Sequence, residues 1–429
     1  MAAVRVPPNA RRVTKDADVA AAADIAARVV ASRAEGEAYV ACVCFKHGPP
    51  RLLGVELEYI VHDAAEPGRP LDPGRLATAL GPHAPRTLRP DSPALPLPGG
   101  SSLTLEPGCQ VEISTAPLPS LRELAAVAGS DLAYVTDLLS PAGLRLHAQA
   151  IDAFRPPVRL LQTQRYAAME RRFAALGPGG VTMMCSTAAL QVCLDAGEKS
   201  QLATRWAAVH ALGPVLLALF ANSRRYAGTD TGLASARWQA VLETENSRTY
   251  AAGPAPDPAA AWAARVLDTP LLVVRRAEGS WDAPRGLTFA DWIEGRGPAP
   301  TLGPPTVADL DYHLTTMFTP VRPQGYLEVR YLDAQPPGTW LHPVALLTAL
   351  LHRESTVDKV LGLCEPVASR WADAARYGLA DPELARAARR IADLGCAELT
   401  TFDLPADTIA DIAYAVQRRV RRRVGGNRP

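Results

Sequence analysis

The stretch Leu53-Gly-Val-Glu-Leu-Glu-Tyr59 predicts a β-strand that is apolar on one face and acidic on the other. Successive side chains along a strand point to opposite faces, so Val55 and Leu57 share the first face while Glu56 and Glu58 share the second. The apolar face needs a hydrophobic layer against it. The stretch therefore favours a sheet that is backed by helices on one side.

Three further stretches repeat this alternation of apolar and polar residues. They are Cys109-Gln-Val-Glu-Ile-Ser-Thr115, Leu190-Gln-Val-Cys-Leu-Asp195 and Tyr326-Leu-Glu-Val-Arg-Tyr331, with polar positions at Gln110, Glu112, Ser114, Gln191, Cys193, Asp195, Glu328 and Arg330. Any one of these strands is explained by an antiparallel sheet that exposes one face to water. As a set they are less ordinary, because solvated strand faces usually carry Thr, Lys, Ser or Arg, whereas these concentrate Glu, Gln and Asp.

The polar strand faces predict a metal centre. Carboxylates that lie side by side on one face repel each other unless a positive charge lies between them. Lysine rarely supplies that charge here, because only four of the 45 basic residues are lysines. A divalent cation is the natural partner, and ligands that offer only oxygen suit Mg²⁺ or Mn²⁺.

Length and composition indicate a large globular protein. The chain has 429 residues, 48% of them hydrophobic and 21% charged, and its 45 basic and 44 acidic residues leave a net charge of +1. This balance gives no field that attracts nucleic acid or an acidic membrane, so neither partner is predicted. The arginine cluster at 418–423 is interpreted as a solvated helix end, with a nucleic-acid patch as the alternative.

The sequence predicts a cytoplasmic protein. No basic start followed by an apolar segment indicates a secretory signal. The most apolar stretch, 211–221, has 11 residues, whereas a membrane span needs about 20. Seven cysteines without a CxxC motif argue against a disulfide framework and against a structural zinc site.

Hydrophobic periodicity predicts an α+β fold with a largely antiparallel, curved sheet backed by helices. Helices are predicted near 16–33, 120–139, 164–175, 199–221, 231–242, 258–267, 306–317, 340–352, 367–377, 381–394 and 405–422, and strands near 38–46, 52–61, 103–105, 109–115, 144–151, 181–195, 269–275 and 325–332. The strands and helices alternate without the regular order of a doubly wound sheet. The proline-rich segment 85–107 is predicted to be a loop at the functional site, because it contains Glu106.

Several common chemistries have no motif in this chain. A phosphate-binding GxxxxGK[ST] loop, a GxGxxG turn, an HExxH metal motif and a GxSxG nucleophile turn are all missing from the sequence. The eight histidines are scattered, so His147 and His210 are interpreted as ordinary core or surface residues. Cys193 could be a nucleophile, but no histidine is near it in sequence, and a small buried filler is favoured.

Seven short motifs occur in an order that resembles the glutamate–cysteine ligase family of carboxylate–amine ligases, which is related in fold to glutamine synthetase. They are Gly54-Val-Glu-Leu-Glu-Tyr59, Gln110-Val-Glu-Ile-Ser114, Arg165-Tyr166-x-x-Met169, Leu190-Gln-Val-Cys-Leu-Asp195, Ala221-Asn-Ser223, Asp230-Thr-Gly232 with Ser235 and Arg237, and Tyr326-Leu-Glu-Val-Arg330. The similarity extends over about residues 38–350 and is strongest for the actinobacterial branch associated with ergothioneine biosynthesis.

The resemblance implies a fold and a reaction. It implies a glutamine-synthetase-like catalytic domain over 1–350, which begins with an N-terminal extension and helix at 1–37, and a helical C-terminal region at 351–429 packed on it. ATP would phosphorylate the γ-carboxylate of glutamate, and the amine of cysteine would attack the γ-glutamyl phosphate to give γ-glutamylcysteine, ADP and phosphate. Two or three Mg²⁺ ions, or Mn²⁺, would neutralise the polyphosphate and the carboxylate.

The resemblance also implies roles for individual residues. The implied metal ligands are Glu56, Glu58, Glu112 and Glu328, the implied catalytic residues are Arg330 and Glu328, and the implied substrate-binding or ATP-binding residues are Arg165, Arg237, Gln191 and Glu106. Arg330 shares a strand face with Glu328 and can meet phosphate oxygens. Glu106 is separated from Glu112 by Pro107-Gly108, which breaks the strand register.

Two alternatives to this function remain open. One is a carboxylate–amine ligase that uses a different amine, and the other is a catalytically silent relative that binds or regulates. The expected partners are the small molecules glutamate, cysteine and ATP. The sequence leaves the oligomeric state open.

Overall fold

The computed structural model describes residues 23–421 of the chain. These residues form two compact units: the first consists of 23–42 and 259–317, and the second consists of 43–258 and 318–421. The division near residue 350 stays a prediction.

The second unit is built on a six-stranded sheet. The described residues contain ten strands, six of which form this sheet. They are β1 Leu53–Tyr59, β2 Val61–Asp63, β3 Ser102–Leu105, β4 Val111–Ser114, β5 Leu144–Leu146, β6 Ala189–Leu194, β7 Arg225–Tyr226, β8 Thr229–Asp230, β9 Val321–Pro323 and β10 Leu327–Asp333. The sheet has the order β3-β4-β1-β6-β10-β9, and every neighbouring pair is antiparallel. The predicted α+β fold with a largely antiparallel sheet is therefore confirmed.

Residues 23–27 are helical, and sixteen further α-helices accompany the strands within the described residues. They are α1 Arg33–Cys44, α2 Pro73–Leu80, α3 Leu121–Leu139, α4 Gln164–Ala174, α5 Pro178–Ser186, α6 Leu202–Phe220, α7 Ala236–Leu242, α8 Asn246–Thr249, α9 Pro258–Asp268, α10 Phe289–Ile293, α11 Val307–Leu314, α12 Leu341–Leu350, α13 Glu354–Cys364, α14 Trp371–Tyr377, α15 Pro382–Leu399 and α16 Ala406–Arg421. Helices α12 to α16 follow the last strand, as the sequence predicts.

The apolar face of the sheet packs against helices. Val55, Val192 and Val329 lie on this face and are at most 1% exposed. Helix α3 contacts β1 and β4, and α6 contacts β10. Burying these aliphatic side chains removes apolar surface from water, which is the main force that fixes the sheet against its helices. The opposite face of the sheet keeps its polar side chains.

The predicted strand at 38–46 is wrong, because residues 33–44 form helix α1. The run contains valines and cysteines that favour a strand by composition. The buried residues of helix α1, Gly36, Val40 and Cys44, instead recur every fourth position, which is the spacing of one helix face. Burial on one side of a helix has overridden the local β preference.

Two other predicted strands are only partly present. The range 181–195 is divided between helix α5 and strand β6, because Pro178 begins a helix at its first turn. The range 269–275 contains two isolated bridges, Pro270 with Thr288 and Val273 with Asp282, and no named strand. Helices α2, α5, α8, α10 and α13 lie outside the predicted helical ranges.

Helix α6 is apolar and long enough, by length and composition alone, to cross a membrane. Within the described structure 83% of its most apolar window is buried. A core helix of a globular protein has the same properties, so α6 is weak evidence for a membrane span. Pro214 lies inside this helix.

The arginine cluster falls at the end of α16, although its last two residues lie outside the described range. The guanidinium of Arg419 donates to the Gln335 side-chain oxygen at 2.8 Å and lies over the Phe220 ring. This arginine therefore fixes the end of α16 to the loop after β10 and to the end of α6, within the second unit.

Candidate active site

The register of the sheet places polar side chains from four strands on one surface, here called the acidic face. It consists of Glu56 and Glu58 from β1, Glu112 from β4, Gln191 and Cys193 from β6, and Glu328 and Arg330 from β10. Glu58 lies opposite Glu112, Glu56 opposite Gln191, and Cys193 opposite Glu328. Strands that are far apart in sequence thus bring the predicted metal ligands together, while their roles stay predictions.

Glu58 and Glu112 are held by neutral donors. The Ala189 backbone N–H donates to one Glu58 oxygen at 2.6 Å, and the Gln191 side-chain amide donates to the other at 2.5 Å. The Thr104 hydroxyl donates to Glu112 at 2.6 Å. These bonds fix where the carboxylates point, but they bring no positive charge to the pair.

Glu328 has positively charged partners instead. The Arg322 guanidinium reaches both of its oxygens, at 2.7 and 3.1 Å, and the Gln324 amide donates to Oε1 at 3.0 Å. The Arg330 guanidinium donates to Oε2 at 2.9 Å and also to the Gln191 side-chain oxygen. Arg330 therefore links β10 to β6 across the acidic face.

Among the four glutamates of the acidic face, Glu56 is the one without a hydrogen-bonded partner. Among residues 23–421, no hydrogen bond or ion pair reaches its carboxylate, although the side chain is half-buried. Its nearest ligand-type neighbours are Cys193 and Glu328, and one donor atom from each of the three residues lies within 4.8 Å of the other two. A half-buried carboxylate in this position needs a cation or a proton.

The pKa values follow from this crowding. Burial raises the pKa of Glu56 well above its ordinary value, and repulsion from Glu328 and Glu112 raises it further. Burial, followed by repulsion from Glu112, also raises the pKa of Glu58. For Glu328, burial acts in the same direction, but Arg322 and Arg330 outweigh it and lower its pKa below the ordinary value.

Glu106 reaches the same region from the turn between β3 and β4. Its backbone N–H donates to the Gln110 carbonyl at 2.9 Å, and the Cys109 N–H donates to the Glu106 carbonyl at 2.8 Å. A Cβ atom on Gly108 would lie 2.1 Å from the Cys185 carbonyl oxygen, so this turn requires glycine. The break in register predicted at this point is thus a compact turn.

Burial raises the pKa of Glu106 to about 8, and repulsion from Glu112 and Glu58 contributes. The positive charges of Arg330 and Arg165 act in the opposite direction. Glu106 and Arg165 are therefore electrostatic neighbours of the acidic face. The substrate-binding roles of both residues stay predictions.

Replacing Glu106 with glutamine should raise the melting temperature of the metal-free protein, and more at pH 8 than at pH 5. The folded state holds this proton up to about pH 8, whereas an unfolded glutamate loses it near its ordinary pKa of 4.5. Unfolding therefore releases a proton between these values, and the stability of the native enzyme falls as pH rises through them. Thermal melts in EDTA at several pH values measure this, with exposed Glu278→Gln as the control. An equal shift at both pH values would contradict the assignment.

Arg237 lies beneath the acidic face and positions Arg330. Its guanidinium donates to the Arg330 backbone carbonyl at 2.7 Å and pairs with Asp333 at 3.6 Å. Asp333 is fully buried and also accepts hydrogen bonds from the hydroxyls of Ser223 and Ser235, at 2.7 and 2.9 Å. The motif serines thus orient Asp333 by hydrogen bonds, and Asp333 in turn pairs with Arg237. The predicted contact of Arg237 with substrate or ATP stays a prediction.

Sequence reasoning missed three residues of this network: Arg322, Gln324 and Asp333. Arg322 pairs with Glu328 across the β9–β10 register, but it precedes a proline in a short strand that has no alternating pattern. Asp333 ends the strand that carries Arg330, and its place three residues after Arg330 is the sequence signal that could have identified it as part of the network. Cys193 was recognised as part of the polar face but not as a neighbour of Glu56.

The donor set fits a divalent cation. Glu56 has no other partner, its neighbours offer carboxylate oxygens, and three of the nearby carboxylates have raised pKa values. Hard cations such as Mg²⁺ and Mn²⁺ select oxygen ligands of this kind. Bound positive charge would allow these carboxylates to ionise together.

The fold is found in a known class of enzyme. The chain matches the crystal structure of a glutamate–cysteine ligase from Francisella tularensis in complex with AMP, with a TM-score of 0.52, 13% identity, and coverage of 88% of this chain and 82% of that one. At this identity the match establishes the fold alone: that of the glutamate–cysteine ligases.

Sequence comparison then establishes the family. The model of glutamate–cysteine ligase family 2 matches residues 52–427. The glutamate–cysteine ligase EgtA of Mycolicibacterium smegmatis is 36% identical over 389 residues, covering 88% of this chain and 86% of the relative. EgtA of Mycobacterium tuberculosis is 37% identical over 393 residues, covering 89% and 85%. The chain belongs to glutamate–cysteine ligase family 2.

Proposed function

We propose that this protein is an ATP-dependent glutamate–cysteine ligase. It joins the γ-carboxylate of L-glutamate to the amine of L-cysteine through a γ-glutamyl phosphate, and releases γ-glutamylcysteine, ADP and phosphate. The observation that carries this proposal is the acidic face, on which four glutamates and an arginine from three strands converge, in a chain that matches the family over residues 52–427. Its similarity to EgtA supports a role in ergothioneine biosynthesis.

The carboxylates of the acidic face are proposed to hold Mg²⁺, with Mn²⁺ as the alternative. Glu56, Glu58, Glu112 and Glu328 are the ligands in this proposal. Bound metal supplies positive charge where the phosphates of ATP and the glutamate carboxylate repel each other. Because Gln191 and the Ala189 N–H hold both Glu58 oxygens, this carboxylate stays oriented before substrate arrives, which reduces the reorganisation needed in the transition state.

Arg330 is proposed to stabilise the phosphoryl group during its transfer. Its side chain is fixed from two directions, because Glu328 and Gln191 accept its hydrogen bonds and Arg237 holds its backbone carbonyl. A planar guanidinium offers paired donors to phosphate oxygens. Arg322 lowers the pKa of Glu328, so the Glu328 carboxylate beside Arg330 stays negatively charged.

The experiment that tests this function is release of ADP by purified protein given ATP, Mg²⁺ and glutamate. ADP release should depend on glutamate and should rise when cysteine is added, because the amine consumes the acyl phosphate. Alanine, serine and other amines, added in turn, are the matched comparisons. Turnover with a non-thiol amine alone would select a different carboxylate–amine ligase. A lack of amine-dependent ADP with any candidate would leave a silent, binding or regulatory relative.

A further inference from the structure

Cys193 lies inside the acidic face rather than beside it. It is opposite Glu328 in the β6–β10 register and opposite Gly54 in the β1–β6 register. The side chain is partly exposed, and within the described residues no hydrogen bond reaches its sulfur. The thiol therefore faces the carboxylates as an uncommitted donor.

One donor atom from each of Glu56, Cys193 and Glu328 is close enough to share one ion, and of the three only Glu328 already has partners, Arg322, Gln324 and Arg330. An oxygen of Glu56, the sulfur of Cys193 and an oxygen of Glu328 lie within 4.8 Å of one another. Two ligands of a tetrahedral zinc ion lie roughly 3.4–3.8 Å apart, given bond lengths of about 2.0–2.3 Å. The remaining distance of about 1 Å is within the reach of a side-chain rotation, since Glu56 is not held by any other contact.

Space for an ion is also present. Gly54 has no side chain opposite Cys193, and a cavity of about 210 Å³ is lined by Gly54, Glu56, Cys193 and Tyr326, among others. This cavity provides an entry path to the sulfur. It lies entirely within the second unit.

Sulfur changes which ion the site prefers. Mg²⁺ selects hard oxygen ligands and gains little from a thiol, whereas Zn²⁺, Co²⁺ and Cd²⁺ bind thiolate and carboxylate together. Glu56 and Glu328 are also in the set proposed to hold Mg²⁺. A soft cation at Glu56, Cys193 and Glu328 would therefore occupy ligands that the reaction needs.

We propose that Glu56, Cys193 and Glu328 form a mixed oxygen–sulfur site that takes a thiophilic divalent cation in preference to Mg²⁺ and thereby blocks the ligase. This inference deepens the proposed function, because it rests on the same metal-binding face. When the cation binds, a metal–sulfur bond replaces the S–H bond and the proton passes to solvent. No oxidant or reductant is involved.

Spectroscopy with Co²⁺ tests the proposal without any catalytic assay. Titrating the metal-free, full-length protein with CoCl₂ should produce a near-ultraviolet sulfur-to-cobalt charge-transfer band. Cys193→Ser and Cys193→Ala should both lose this band, and the affinity for Co²⁺ should fall by at least about 10-fold, the smallest loss expected when a metal site is disturbed. Mg²⁺ affinity should fall by much less. Cys42→Ser, at an exposed cysteine far along the sequence, should keep the band.

The possible results distinguish a failure of the sulfur ligand from a failure of the ligase function. If wild-type protein binds Co²⁺ without the band, or if the Cys193 variants keep it while melting like wild type, the proposal is overturned. A band that appears in a protein without amine-dependent ADP release would support the mixed site and count against the ligase function. Inhibition by Zn²⁺ that EDTA and excess Mg²⁺ reverse, and that is weaker in Cys193→Ser relative to its own uninhibited rate, is the expected functional consequence.

Discussion

Glu56→Gln should lower the rate of ADP formation by at least about 100-fold, the scale of losing one strong electrostatic contribution to the transition state. The Glu56 carboxylate has no partner among the described residues and lies beside Glu328. In the proposed function a metal ion is that partner. Glutamine keeps the shape and one oxygen but removes the charge, so the affinity for Mg²⁺ should fall with turnover.

The same variant should make the metal-free protein more stable rather than less. Burial and repulsion raise the pKa of Glu56, so its ionised form destabilises the fold as pH rises above the ordinary value of a glutamate. Thermal melts in EDTA at pH 8 should show a higher melting temperature for Glu56→Gln. Exposed Glu66→Gln is the control for both measurements. Wild-type turnover with unchanged Mg²⁺ dependence would show that the metal assignment is wrong.

The fold could be predicted where apolar and polar residues follow a simple period. In the strand Leu53–Tyr59 they alternate from Val55 onward, although burial itself does not, since only Glu56 is partly exposed. The run at 38–46 misled for the opposite reason. It carries apolar residues at almost every position, and only the burial of Val40 and Cys44, four positions apart, distinguishes a helix from a strand.

The candidate site could be predicted as a set of residues but not as a geometry. Alternation shows that Glu56 and Glu58 share a face, yet the pairing of Glu58 with Glu112 depends on the register between strands that are distant in sequence. The sequence also does not show which of the carboxylates is paired with an arginine. Glu328 is paired directly with Arg322, while no described residue forms an ion pair or hydrogen bond with the Glu56 carboxylate, and this difference makes Glu56 the carboxylate of the acidic face that most needs a metal.

Arg237 illustrates a second limit of sequence reasoning. Its place in a motif predicts contact with substrate or nucleotide. In the structure Arg237 is 5% exposed, and its guanidinium lies between Asp333 and the backbone of Arg330. A motif residue can thus be required because it positions a neighbour, and only the three-dimensional contacts separate this role from direct binding.

Arg330→Lys should lower turnover by at least about 100-fold, with a smaller effect on the apparent affinity for cysteine. Arg330 donates to Gln191 on β6 and to Glu328 on its own strand, and its backbone is held by Arg237. Both side-chain hydrogen bonds come from Nη1, so the Nε and Nη2 donors remain for phosphate oxygens. Lysine keeps one charge but loses the planar, two-pronged geometry, and its single nitrogen cannot bridge both strands and still meet phosphate oxygens in a fixed direction.

Steady-state kinetics with ATP, glutamate and cysteine varied in turn separate the two possible roles of Arg330. A loss in kcat that is shared by all three titrations places Arg330 at the transferring phosphoryl group, because only a contact formed in the transition state lowers kcat and kcat/KM together. Exposed Arg122→Lys on α3 is the matched control. If Arg330→Lys raises only the KM for cysteine and leaves kcat intact, Arg330 belongs to the amine pocket. The phosphoryl group would then depend on the metal ligands and on Arg322, the other guanidinium that contacts Glu328.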